Sequence, residues 1–275
     1  MKITLWGTRG SIASAGSETV RYGGDTSSIE LRTANDRVVV LDAGSGARRL
    51  GNTLAGVKRV DILLSHLHMD HVQGLPFFRP LLDPDVEVHI WGPMSSTRDL
   101  AARLARYLSP PLFPIRVRDL PNAVFHDVPL STFEIDTLQI TADLITHPGT
   151  TLGFRIEEGD SSLAYMPDHE PALGCDMFPK APRWTSGFAL AEGVDLLIHD
   201  SQYTDEEYAA RVGWGHTSFS QLVKFASITG AAELVTFHHD PAHSDDFLDE
   251  IHGSIANNAN GLKVSAGVPG FQREV

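Results

Sequence analysis

His66-Leu67-His68-Met69-Asp70-His71 places four metal-ligating side chains within six residues. The stretch follows Val60-Asp61-Ile62-Leu63-Leu64, an apolar run that predicts a buried strand. The ligands then fall at a strand's C-terminal end, where α/β proteins build their sites. Imidazole and carboxylate donors with no nearby Cys suit zinc, manganese or iron, and there are enough of them for two metals. A polar loop in a chain with 13 His would by itself account for the stretch. What argues against that is the recurrence of His and Asp after later apolar runs.

Three such positions follow. His147 stands in Ile145-Thr146-His147-Pro148-Gly149, Asp168 in Tyr165-Met166-Pro167-Asp168-His169, and His238 in Val235-Thr236-Phe237-His238-His239-Asp240-Pro241. Each ends an apolar run. A single His after a strand is ordinarily a capping or turn residue; together with the first cluster, His147 and His238 read as ligands.

With these residues in hand, the chain resembles the metallo-β-lactamase-fold hydrolase superfamily, for which the HxHxDH pattern of residues 66–71 is highly specific. The resemblance covers nearly the whole chain. It implies an α/β four-layer αββα sandwich in a single domain spanning residues 1–275. It also implies two divalent transition-metal ions, zinc foremost, with manganese or iron as alternatives. His66, His68 and His147 would hold one ion, Asp70, His71 and His238 the other, and Asp168 would bridge them. His238 is preferred to His239 because the superfamily's ligand comes first after the strand. Asp70 is expected to serve catalysis as well as metal binding. Asp42, at the end of Val38-Val39-Val40-Leu41, reads equally as a turn aspartate or as an acceptor for a ligand N–H; the resemblance favours the second.

A further feature separates branches of the superfamily. Leu197-Ile198-His199-Asp200-Ser201-Gln202-Tyr203 is followed by Gly215-His216-Thr217-Ser218 before a helix. This resembles the acidic and His motifs of the ribonuclease Z and small phosphodiesterase branches. His216 would protonate the leaving alkoxide and Asp200 would orient its ring. Asp200 stands where ribonuclease Z enzymes typically carry Glu, one methylene longer.

The strand signals are Ile3–Trp6, Ser28–Arg32, Val38–Leu41, Ile62–Leu64, Val86–Trp91, Phe133–Ile135, Leu138–Leu144, Gly153–Ile156, Leu163–Tyr165, Leu196–Ile198 and Leu234–Phe237. The helix signals are Ala47–Leu54, Ser95–Leu108, Ser218–Ser227 and Asp245–Asn257. Strands followed by alternating strand and helix, twice over, suit two sheets packed face to face with helices outside. Ser218 reads as a helix cap and Gly230 as the stop.

The 275 residues carry a formal net charge of −13. That argues against a broad electrostatic nucleic-acid surface, though two divalent ions would leave the site itself positive. No apolar run approaches the ~20 residues of a membrane span, and the N-terminus lacks signal-peptide features. Cys175 is the only cysteine, so no intrachain disulfide forms. The expected location is the cytoplasm, and Cys175 is not expected to act as a nucleophile.

Residues 92–120 reverse the local charge. Arg98, Arg103, Arg106, Arg116 and Arg118 face only Asp99 and Asp119 there. This insert reads as a lid over an anionic substrate, a homodimer arm, or a solvated helix packed on its own domain. Arg9, on the Gly7–Ser11 loop, reads as a solvent-facing residue or a phosphate contact, and the Gly23–Ser27 loop is similarly placed. His169, His239 and His243 are weaker candidates, the latter two as pocket-rim or turn residues. His89, His126 and His252 are expected to be surface or structural.

The leading functional reading is a dinuclear hydrolase that uses a metal-activated hydroxide on a small or cyclic anionic phosphodiester. A ribonuclease Z-like tRNA 3′-processing endonuclease is the nearest alternative. Lactone or β-lactam hydrolysis, and a non-catalytic metal-binding signalling domain, are more distant.

Overall fold

The computed structural model describes residues 1–173, 178–259 and 261–275, without the side chains of 256–258. Cys175 lies outside the described residues. The first sheet contains β1 (Lys2–Gly7), β2 (Ser28–Arg32), β3 (Val38–Leu41), β4 (Arg59–Leu63), β5 (Glu87–Pro93) and β6 (Ala123–Val128). The second contains β7 (Thr132–Ile135), β8 (Leu138–Leu144), β9 (Leu152–Glu158), β10 (Ser161–Met166), β11 (Leu196–Asp200), β12 (Glu233–Phe237) and β13 (Lys263–Ala266). The last strand, β14 (Gln272–Glu274), returns to the first sheet and pairs with β1. The orders are β14-β1-β2-β3-β4-β5-β6 and β13-β12-β11-β10-β9-β8-β7.

Both sheets change character midway. Pairing is antiparallel from β14 to β3 and parallel from β3 to β6. It is likewise antiparallel from β7 to β10 and parallel from β10 to β13. The parallel halves supply strand ends that face one way, which is where the His and Asp loops lie.

Alternation along the strands divides the core into layers. Val39 and Leu41 face the second sheet and join Leu5, Ile29, Phe154, Tyr165, Ile198 and Phe237 in the central layer. Val38 and Val40 face the other way and pack with Val60, Ile62, Leu50, Phe78, Leu100 and Leu104. On the far side Ala164, Met166, Leu197 and Leu234 meet Leu190, Leu222 and Phe225. Strands β11 and β12 are buried at every residue, as expected of parallel strands covered on both faces. This is the αββα sandwich of the metallo-β-lactamase fold.

The helices are α1 (Gly46–Gly51), α2 (Met69–Val72), α3 (Leu100–Leu104), α4 (Phe188–Ala191), α5 (Asp205–Ala209), α6 (Phe219–Thr229) and α7 (Asp245–Asn258). Ser218 caps α6 and Gly230 ends it in the left-handed conformation at φ 69°, as the sequence predicts. The helix expected over Ser95–Leu108 is shorter. The Asp99 side chain accepts from Ala102 N at 2.7 Å, and this cap delays the start to Leu100. Strands β6, β13 and β14 and helices α2, α4 and α5 were not anticipated. All but β6 have three to five residues, and β6 is fully buried only at Val128, so neighbours rather than local pattern select them.

In the 92–120 segment, Leu100, Leu104, Leu108 and Val117 pack beneath the first sheet. Arg103 is held by Pro93 O and lies 3.6 Å from Asp127. Tyr107 Oη donates to Gln73 O at 3.1 Å, and Phe113 packs edge-on against Phe77. Among the described residues no helix is long and apolar enough to cross a membrane.

Candidate metal centre

Four parallel strand ends and one antiparallel end converge on the site. β4 leads to His66, His68, Asp70 and His71; β10 to Asp168; β11 ends at Asp200; β12 is followed at once by His238; and β8 leads to His147. Three groups of donor atoms result: Asp200, His216 and His238 make a small one, and two larger ones lie beside it. His66, His68, His147 and Asp168 form one, and Asp70, His71, Asp168 and His238 the other, with the donor atoms of each within 4.8 Å of one another. Asp168 belongs to both. Its Oδ2 lies 3.7 Å from His66 Nε2 and from His147 Nε2, and its Oδ1 lies 3.0 Å from His71 Nε2 and 3.3 Å from His238 Nε2. Asp70 Oδ2 is 3.2 Å from His71 Nε2 and 3.1 Å from His238 Nε2.

The far side of each ring explains why these atoms converge. His71 Nδ1 donates to Asp42 Oδ2 at 2.8 Å. His147 Nδ1 donates to Gly215 O at 2.9 Å, and His238 Nδ1 to Gln202 Oε1 at 2.9 Å. Ser65 Oγ gives its proton to Asp42 Oδ2 at 2.8 Å and so accepts from His66 Nδ1 at 3.0 Å. With Nδ1 engaged outside, each ring turns its Nε2 inward. Nε2 of His66 is buried and has no hydrogen-bond partner. Lone pairs and carboxylates facing one another without donors are satisfied by cations, so the residues present fit divalent metals. His68, exposed at the mouth, turns Nδ1 to within 3.1 Å of His147 Nε2.

Charge states follow the same geometry. Burial holds His66, His68 and His147 below the ordinary histidine range, which keeps them neutral for ligation. Burial also acts on His71, but Asp168, Asp70 and Asp42 outweigh it and raise that group. Burial acts against the charged forms of Asp70 and Asp168 too. His71 and His238 around the one, and His238, His71 and His66 around the other, nevertheless hold both carboxyls low and ionised.

Asp42 accepts from Ser65 N at 2.7 Å and from Tyr165 Oη at 2.8 Å, besides His71 and Ser65 Oγ. It sits at φ 56°, a conformation uncommon for a non-glycine residue. Gly10 is required for a different reason. A Cβ there would fall 2.4 Å from His238 Nδ1.

Beside this cluster, His216 Nδ1 donates to Asp200 Oδ2 at 2.7 Å and stands 4.0 Å from Asp168 Oδ2. Asp200 Oδ1 accepts from Gln202 N at 3.0 Å and Thr217 N at 3.3 Å, which locks the carboxylate between β11 and the start of α6. Burial pushes the His216 imidazole down, but Asp200, Asp168 and Asp70 raise it to about 9.

Arg9 corrects its sequence reading. It is fully buried and meets neither solvent nor the cluster. Its guanidinium donates to Gly23 O at 2.7 Å, Asp240 O at 3.0 Å and His243 O at 2.8 Å, and lies 3.6 Å from Asp245. His239 turns away from the cluster to donate to Gly267 O, and His243 binds Glu207. His169 Nδ1 donates to His199 Nε2 at 2.8 Å, since His199 Nδ1 is committed to Asp200 O. His89 and His126 bond to each other at 2.8 Å across adjacent strands.

Sequence reasoning missed Gln202, Ser65, Tyr165 and Glu170. Glu170 is fully buried. Its carboxylate accepts from Gly213 N at 2.9 Å, Gly215 N at 2.8 Å and Tyr208 Oη at 2.8 Å. Its place two positions after Asp168 was the one available signal.

Comparison with known proteins agrees with this architecture. Ribonuclease Z of Lactiplantibacillus plantarum is 24% identical over 273 residues, covering 82% of this chain and 86% of that protein. Ribonuclease BN of Cronobacter sakazakii is 24% identical, covering 89% and 90%. The crystal structure of the metallo-β-lactamase fold protein YhfI from Bacillus subtilis superposes with a TM-score of 0.73 at 20% identity, over 99% of both chains. That of a diphosphatase from the PhnP family gives 0.71 at 16%, over 100% of this chain and 96% of the other. Residues 37–239, which carry every donor of both groups, match the family described as "Beta-lactamase superfamily domain", and the chain belongs to that hydrolase superfamily.

Proposed function

We propose that the protein is a dinuclear metal-dependent phosphodiesterase acting on small or cyclic phosphodiesters. The observation that carries this reading is the Asp200–His216 pair, held at 2.7 Å beside the His and Asp cluster. His66, His68 and His147 would hold one ion, Asp70, His71 and His238 the other, with Asp168 shared. Zinc fits this donor set, as do manganese and iron. Two bound divalent ions would supply an activated water and charge stabilisation for the phosphoryl oxygens.

The chain's own residues do the rest. His216 spends Nδ1–H on Asp200, leaving Nε2 to give a proton to the leaving alkoxide. Against the lowering effect of burial, the Asp200 carboxylate favours the protonated ring that an acid requires. Asp200 holds the ring's orientation. Asp42, Gln202 and the Gly215 carbonyl fix the tautomers of His71, His238 and His147. Hydrolysis of a lactone or β-lactam would make little use of His216.

A tRNA 3′-processing nuclease is the second reading, favoured by the ribonuclease Z relatives. Metal analysis coupled to a substrate panel separates the two. The panel is bis(p-nitrophenyl) phosphate, cyclic mononucleotides, pre-tRNA, a lactone and a β-lactam. The proposal expects about two ions per chain and fastest turnover of a small phosphodiester. Metal-free reconstituted protein, or faster turnover of the lactone, the β-lactam or pre-tRNA, overturns it.

A further inference from the structure

The loop that carries His216 holds a tryptophan in the open. Trp214 lies between Gly213 and Gly215, both at φ 88°. The Glu170 carboxylate takes the amide protons of both glycines, at 2.9 and 2.8 Å. Glu170 is itself tied to the site, because its own N–H donates to Thr146 O at 2.9 Å, next to His147. Trp214 N donates to Arg211 O at 3.0 Å. The loop thus shows its amide edge to a buried carboxylate and leaves its central side chain outside, 60% exposed.

The loop cannot stand far from the metal cluster. Gly215 O accepts from His147 Nδ1 at 2.9 Å, and a Cβ on Gly215 would fall 2.2 Å from that nitrogen. The next residue is His216. Leu173 and Val212, both half exposed, add apolar surface to the same loop region. A rigid loop that presents a large aromatic ring to water gains nothing for folding from that ring. It gains if a ligand covers it.

Resting on the phosphodiesterase reading, we propose that Trp214 is the platform for the leaving group, and that the leaving alcohol carries a planar base, as a nucleoside does. His216 must reach the leaving oxygen, so the leaving group lies beside residue 216, and the exposed ring at 214 is on the same clamped loop. Stacking is tolerant of sequence because every base has a π-face.

Two diesters of thymidine 3′-phosphate test this, one releasing the 5′-hydroxyl of adenosine and one releasing methanol. Both leaving groups are primary alkoxides, so their demand for protonation is similar. The kcat/KM ratio of the adenosine diester over the methyl diester should fall roughly 5- to 150-fold in Trp214→Ala, the range for loss of one stacked base. Trp214→Phe should keep most of the preference. An unchanged ratio in Trp214→Ala overturns the proposal. Adenosine 5′-methylphosphonate, titrated into zinc-loaded protein, supplies a readout that needs no turnover. It should quench tryptophan fluorescence saturably in the wild type and not in Trp214→Phe. No quenching, or equal quenching in both, overturns the proposal even if neither diester is hydrolysed, whereas failure of hydrolysis alone counts against the phosphodiesterase reading.

Discussion

Asp42 shows how much one residue can carry. Its two carboxylate oxygens satisfy His71 Nδ1, Ser65 N, Ser65 Oγ and Tyr165 Oη, all buried. Asp42→Asn replaces one acceptor oxygen with an NH2 group that cannot accept, and removes the negative charge beside His71. His71 then loses the partner that fixes its tautomer, and metal affinity should fall about 10- to 100-fold. Competition with a chromogenic chelator measures this, and unchanged affinity would show that Asp42 does not support metal binding. His216 has a different role and a different signature. His216→Ala should keep both metals and lower kcat by roughly 10²–10⁴-fold for poor leaving groups. The loss should shrink for p-nitrophenolate, which leaves without a proton. Asp200→Ala should show the same pattern, smaller. Equal losses across leaving groups, or a lost metal, would assign His216 another function.

At the scale of elements, the site depends on loops tied to one another more than on any helix. Glu170, after β10, clamps the loop that precedes α6, and that loop accepts the ring proton of His147 after β8. Glu170→Gln keeps the side chain's shape but turns one acceptor into a donor facing backbone N–H groups. An unsatisfied buried group costs about 1–3 kcal/mol. The variant should therefore melt earlier by calorimetry and bind less metal in the His147 group. A melting temperature and zinc stoichiometry like those of the wild type would show that the clamp is dispensable. The four-residue helix α2 was illegible because too few residues carry its pattern, and β6 because it is fully buried only at Val128; neighbouring strands and loops select both.

For the whole molecule, the buried histidines set a limit on the acid side. Burial depresses His239 to about 3, against a hydrogen bond to Gly267 O that raises it. An unfolded histidine titrates near 6.5. Below that pH the unfolded chain takes up a proton that folded His239 refuses. Its contribution is thus complete above pH 6.5 and lost progressively as the pH falls towards 3. One such group changes stability by about 1.4 kcal/mol per pH unit. In chelator-treated protein, His239→Gln should keep a donor for Gly267 O and lose less stability than the wild type between pH 6.5 and 5, by ~2 kcal/mol. Parallel denaturant-derived stabilities for the two proteins across that window would refute it.

The linear sequence by itself singled out the His and Asp residues that stand after the apolar runs. A strand-forming apolar run followed by His or Asp needs no tertiary knowledge to recognise, because side-chain periodicity and ligand chemistry are both local. The resemblance carried by HxHxDH added the two-sheet sandwich and the pairing of donors. Only the tertiary structure decided which nitrogen of each ring faces inward. That depends on acceptors far away in sequence: Asp42 for His71, Gly215 for His147 and Gln202 for His238. It also decided the case of Arg9, which reads as a surface residue until β12's following turn and α7 close over it and supply Asp240 O, His243 O and Asp245. Burial and hydrogen-bond partners are sums over the whole chain, so residues such as Arg9, Glu170 and Gln202 take their meaning only from the folded neighbours that the local pattern cannot see.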